Sequence, residues 1–330
     1  MEKFQDQKNR IDAEIDNLIL PGENAGDYSE RWEKTFDKVF LIGWILSVII
    51  LSIVTFIFQP SLFTKYQFFG FCFFKIFVML MMSLAGGAAC RYYCKTDGNG
   101  YIASSKNSWF KVNYTRKLQH FAAYLIPLIS ASGQAGSNMH PKGILPHAWE
   151  SLFVLLIFLL LIKPIREKSK FFMLQFNSMD RPEDRPNTLK WIVLGNILPG
   201  LILGTIFKQL FEQIGEPNLV LIIVFIIGIG DGLAEPVGIY LGKKKYVVPS
   251  WSMGKRYVRS YAGSACVFLS SVVFTLMFFK EFNHLAQFIV AIFLVPPVMT
   301  IVEAVAPHSM DTPLMMTVGF SILYAICLFN

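Results

Sequence analysis

LVLIIVFIIGIGDGLAEPVGIYL, residues 219–241, is a nearly unbroken apolar run interrupted by two acids, Asp231 and Glu235. A run of about 20 apolar residues is long enough for a helix to cross the hydrocarbon core of a bilayer. On a helix the two acids fall one turn apart and share a face. Ionisable groups at membrane depth cost roughly 2.5–3.5 kcal/mol each on insertion scales, so they usually mark function. A basic loop follows at once: Gly242-Lys243-Lys244-Lys245, then Lys255, Arg256 and Arg259. Acids facing a basic segment at a membrane surface suggest a site for a metal ion and phosphate groups.

The rest of the chain has the composition of a membrane protein. Of its 330 residues 54% are hydrophobic and only 16% charged, which excludes an ordinary soluble domain. Apolar runs of spanning length begin near Val39, Phe68, Leu118, Leu152, Leu189, Leu219, Ser260, Leu285 and Leu314. The expected fold is all-α: a polytopic membrane bundle of about nine helices. Lys and Arg divide unevenly between alternate sides, 25 against four, with Lys75 inside the second run. The positive-inside rule then puts the N-terminus and the basic segments in the cytoplasm. Residues 1–37 read as a charged cytosolic extension without a signal peptide, with Ile11, Ile15, Leu18 and Ile19 at helical spacing. Residues 38–110 add transmembrane helices and a loop, and 111–330 form the main membrane domain. The five cysteines read as free thiols rather than a disulfide framework. Nothing points to a nucleic-acid partner.

With this topology the unusual polar residues gather toward the cytoplasmic face. Arg116, Lys117 and His120 open the third helix, and Asp180–Arg185 precedes the fifth. Asp231, Glu235 and the basic segment come next, then Glu303 near the end of the eighth helix and Asp311 just after it. Phosphoryl transfer from a nucleoside triphosphate fits this set. The donor's negative charge needs Mg²⁺ and Lys or Arg, and Mg²⁺ takes oxygen ligands from one or two carboxylates plus the phosphates. Asp231, Glu235, Glu303 and Asp311 supply carboxylates. Lys243–Lys245, Lys255, Arg256 and Arg259 supply cations. One carboxylate would accept the proton of a lipid alcohol entering from the bilayer. Glycines 228, 230 and 232 either let helices pack closely or bend the helix to admit phosphate. Neither G-x-G-x-x-G nor a P-loop is present: position 233 is Leu, and Gly238 to Lys244 lacks the P-loop's spacing and hydroxyl.

Gly230-Asp231-Gly232-Leu233-Ala234-Glu235-Pro236-Val237-Gly238, then Gly242-Lys243-Lys244-Lys245-Tyr246 and Arg259-Ser260-Tyr261-Ala262-Gly263-Ser264, resembles the signature of the phytol kinase and dolichol kinase family. Arg116-Lys117-Leu118-Gln119-His120 is similar to its R-K-x-x-H motif, and Glu303-Ala304 with Met310-Asp311-Thr312-Pro313 to its terminal segment. Thr312 stands where the family usually has Asn. The likeness spans about residues 115–330. It implies an integral-membrane kinase for a lipid alcohol such as phytol, geranylgeraniol or a polyprenol, with CTP as donor and Mg²⁺ required. It also implies roles. Asp231 and Lys243–Lys245 would bind metal and triphosphate, and Arg259 and Gly263 would complete the nucleotide pocket. Arg116, His120, Glu303 and Asp311 would line the site.

A phosphatidate cytidylyltransferase is the nearest alternative, but its C-terminal H-G-G-x-x-D-R-x-D signature is missing. An ion-coupled transporter is the alternative from another class. The gathering of acids toward one face and the lack of an inverted repeat disfavour it.

Overall fold

The computed structural model describes residues 34–106, 109–132, 141, 143–181, 184–249, 256–307 and 310–328. The proposed helix in the N-terminal extension, Glu183, Lys255 and His308 lie outside the described residues. The fold is all-α apart from two short antiparallel ribbons, and a helix stands at each of the nine positions read from the sequence. Five described helices are long and apolar enough to cross a membrane, and three more apolar helices are shorter. Val112–Ser132, the third, is a helix from the backbone but is not among these eight apolar helices. The apolar helices suit embedding in a membrane. The chain divides into two compact units, one ending at Leu201 and the other running from Ile202 to Asn330.

The first unit holds α1 (Lys34–Phe58), α2 (Tyr66–Tyr93), β1 (Cys94–Thr96), β2 (Ile102–Ser105), α3 (Val112–Ser132) and α4 (Ile144–Leu159). Short helices α5 (Lys163–Arg166) and α6 (Lys170–Asn177) follow. Ile42, Ile45, Ile49, Ile53 and Phe56 leave α1 with an apolar exposed surface, which suits lipid rather than water. Two indole hydrogen bonds fix α1 to α4: Trp44 Nε1 donates to Leu152 O at 3.0 Å, and Trp149 Nε1 to Thr55 Oγ1 at 3.0 Å. β1 and β2 are joined across Asp97-Gly98-Asn99-Gly100, whose Asp97 side chain accepts from the Asn99 and Tyr101 backbone N–H groups. Gly100 there has φ 91°, which favours glycine.

From Thr188 a helix with an internal π-helical stretch, α7, runs to Gln213. In the second unit follow α8 (Pro217–Leu241), β3 (Lys245–Pro249), β4 (Arg256–Ser260), α9 (Tyr261–Met277), α10 (Leu285–Val305) and α11 (Asp311–Cys327). α8 is the centre of this unit: 61% of its apolar window is buried, against 28% for α10. α9 packs on α8 and α10, and α10 packs on α11. The starts of α9 and α10 are set by sequence. Ser260 Oγ caps α9 by accepting from Gly263 N–H at 3.1 Å. His284 and Gln287 form a capping box at α10. In the basic segment, expected to be a loop over 242–259, two described stretches pair instead as antiparallel strands. Lys245-Tyr-Val-Val-Pro249 and Arg256-Tyr-Val-Arg-Ser260 pair in register from Lys245 opposite Ser260 to Pro249 opposite Arg256.

Candidate functional site

Inside α8 the backbone widens to a π-helical stretch over Ile226–Asp231, then returns to α geometry at Gly232. Wider turns of this kind occur often at functional sites. Asp231 sits at that junction and is buried, while Glu235, one turn on, is half-buried.

Small residues bring α8 and α9 together here. The position a Cβ would take on Gly263 is 2.7 Å from the carbonyl oxygen of Ala234. On Gly238 it would be 2.6 Å from Ser260 Oγ, and on Gly230 3.0 Å from Ser270 Cβ. Of glycines 228, 230 and 232, Gly230 lies in close contact with α9, as helix packing requires. At Gly263 the missing side chain makes room for the Ala234 carbonyl.

Arg259, near the end of β4, organises the polar centre of the unit. Its side chain is only 12% exposed. Nη1 donates to the carbonyl oxygen and to Oε1 of Glu303 in α10. Nη2 donates to Asp311 Oδ2 at 3.3 Å and to Ala306 O at 3.4 Å. Burial disfavours the guanidinium charge, but the carboxylates of Asp311, Glu303 and Asp231 together hold its pKa above the ordinary value. One cation thus faces acids from three segments: α8, α10 and the first turn of α11.

Glu303 is engaged at both oxygens, because Ser264 Oγ donates to Oε2 at 3.0 Å. In this arrangement Glu303 holds Arg259. Among the described residues no three His, Cys, Asp or Glu side chains form a ready-made metal shell. Asp231, Glu235 and Glu303 do not assemble into one. The set fits a Mg²⁺ ion that arrives with phosphate oxygens and needs only one or two protein carboxylates.

Lys243, Lys244 and Lys245 are exposed at the foot of the strand pair. Tyr246 is the cross-strand partner of Arg259 and shares its face, so strand alternation puts Lys245 on the opposite face. The expected single patch of lysines and arginine is therefore split, with Arg259 turned inward and the lysines turned to solvent. Arg256 opens β4. Sequence reasoning gave Tyr246 and Ser264 no role of their own. Their hydroxyls nevertheless lie 2.6 Å apart beside Glu303.

Arg116, Lys117 and His120 belong to the first unit, on α3. Arg116 Nη1 donates to Asp184 Oδ2 at 2.5 Å, and that oxygen also accepts from Arg181 Nε at 2.8 Å and Nη2 at 2.6 Å. Arg185 and Thr188 hold Asp180 in the same way, through Arg185 Nη2 at 2.6 Å and Thr188 Oγ1 at 2.9 Å. These are buried, mutually compensated charges, and removing one partner of such a pair costs about 3–5 kcal/mol. His120 packs its ring against Tyr124 with 4.7 Å between centroids.

Comparison of the chain with protein-family models, with curated proteins and with solved structures gave no match in any of the three.

Proposed function

We propose that the chain is a membrane kinase transferring the γ-phosphate of CTP, or another nucleoside triphosphate, to a lipid alcohol such as phytol, geranylgeraniol, a polyprenol or dolichol. The observation that carries this reading is Arg259 held among Asp231, Glu303 and Asp311, with three exposed lysines on the other face of the same strand pair. Carboxylates are the ligands a divalent cation takes alongside phosphate oxygens, and the lysines suit the polyphosphate that would accompany it. The resemblance of residues 230–264 to the phytol and dolichol kinase signature supports the same chemistry. We further place nine spans across the membrane, with the N-terminus and the site on the cytoplasmic side, from the 25-to-four division of basic residues.

In this reading the lysines and Arg259 neutralise the triphosphate and orient its γ-phosphorus. Mg²⁺, held by Asp231 together with phosphate oxygens, would supply further charge neutralisation. The lipid hydroxyl oxygen attacks the γ-phosphorus as the bond to the β–γ bridging oxygen breaks. The nucleoside diphosphate leaves with that electron pair, and the hydroxyl proton passes to a carboxylate, Asp231 or the more exposed Asp311. The step uses residues of the second unit alone.

The test is transfer of label from γ-labelled CTP to lipid alcohols by the purified chain in detergent. Phosphorylated alcohol is expected from the wild type, with loss on Asp231→Asn. Undiminished transfer by that variant would remove Asp231 from the mechanism. A liponucleotide with released pyrophosphate would replace kinase with cytidylyltransferase chemistry.

A further inference from the structure

Arg259 does not orient itself. A long, flexible side chain facing several carboxylates needs a fixed partner to hold one geometry, and that partner is Glu303. Glu303 is in turn fixed at its second oxygen by Ser264, a buried residue in the first turn of α9. A serine hydroxyl has one proton to give. Ser264 spends it on Glu303 Oε2, so at the 2.6 Å contact with Tyr246 it is the phenol that donates. The hydrogen bonds thus run in one direction, from Tyr246 to Ser264 to Glu303, where the guanidinium of Arg259 meets them. Tyr246 is also the cross-strand neighbour of Arg259. The same strand pair therefore grips Glu303 twice: directly through Arg259, and through Ser264 by way of Tyr246.

We infer that Tyr246 and Ser264 are positioning residues that hold Glu303 so that Arg259 presents its guanidinium to the phosphates of the donor. Burial, and then the charge of Glu303, push the Tyr246 phenol above its ordinary range, so it keeps the proton it must donate. Tyr261 packs on the Tyr246 ring at 5.3 Å between centroids and limits its swing. The phosphate role of Arg259 rests on the kinase reading. The orientation of Arg259 by this chain of hydroxyls does not.

The experiment compares wild type, Tyr246→Phe, Ser264→Ala, Ser264→Thr and the Tyr246→Phe/Ser264→Ala double variant, each as the full chain in detergent. For Tyr246→Phe and Ser264→Ala the KM for CTP is expected to rise about tenfold with kcat held within about twofold, the size of one lost hydrogen bond acting on binding. Ser264→Thr keeps the hydroxyl and restores the wild-type KM. The double variant is no worse than the worse single, because both act through one chain. An unchanged KM, or a fall in kcat alone, overturns the positioning role. A second readout needs no activity: phenylglyoxal modification of Arg259, followed by peptide mass spectrometry. Its rate should rise about fivefold in Tyr246→Phe as the side chain loosens, and an unaltered rate overturns the proposal. If the wild type transfers no phosphate, the kinase reading fails, and the modification rates still decide whether Tyr246 and Ser264 hold Arg259.

Discussion

Gly263→Ala puts the packing of α8 against α9 to a quantitative test. The added Cβ would stand 2.7 Å from the Ala234 carbonyl oxygen, where ordinary contact begins at 3.4 Å. The obstacle is backbone, so no side chain can swing aside, and α8 must retreat from α9 by about 0.7 Å. Overpacking of this kind costs about 1–3 kcal/mol, and the small helix propensity gained by alanine offsets only part of it. A net loss of about 1 kcal/mol corresponds to a drop in Tm of roughly 2–4 °C for a unit of this size. The control is Gly204→Ala in α7, where nothing lies within 4 Å of the new methyl group and the same change should be neutral or stabilising. Thermal unfolding in detergent, followed by loss of helical circular dichroism, measures both. Because Ala234 lies one turn beyond Asp231, the displaced α8 should also carry that carboxylate away from Arg259 and lower phosphotransfer. Equal melting temperatures for the two variants would refute the close seam and with it the packing role given to Gly263.

Arg259→Gln removes the cation facing Glu303, Asp231 and Asp311 and should destabilise the fold by about 3–5 kcal/mol in chemical unfolding. Arg259→Lys keeps the charge but lacks the planar fork that meets Glu303 and Asp311 together, so it should retain more stability than Gln while losing donor affinity. Tyr246 titrates above its usual 10.0 in the folded chain, so its contribution to stability is complete below about pH 10. As pH rises further the unfolded chain releases the phenolic proton first, and stability falls. Tyr246→Phe should flatten that alkaline slope in unfolding experiments, and an identical slope would show that the phenol is not shielded.

The helices were legible because apolar runs and basic flanks follow directly from the solvent they face. A helix stands at each of the nine runs. The segment 242–259 was misread because its lysines drew attention from the Tyr-Val pattern in Lys245–Pro249 and Arg256–Ser260, a recognisable strand signal. Asp231 was found from its cost at membrane depth. The engagement of Glu303 with Arg259 was not, since the two are 44 residues apart and only the return of α10 beside the strand pair joins them. Gly230 allowed two meanings in the sequence, and its close approach to Ser270 and Val267 favours packing. Ser264 and Tyr246 went unassigned because a hydroxyl acquires meaning only from what it touches.

The π-helical stretch at Ile226–Asp231 joins two α-helical lengths of α8. Upstream of it, Ile222, Ile223 and Phe225 are turned to the protein interior. Removing one residue from the wide turn would restore regular winding while both flanks kept their bearing, because the turn fits one extra residue into a single rotation. The apolar contacts before it and Glu235 beyond it would stay in place. A single-codon deletion there would thus abolish the widening alone and reveal what it contributes.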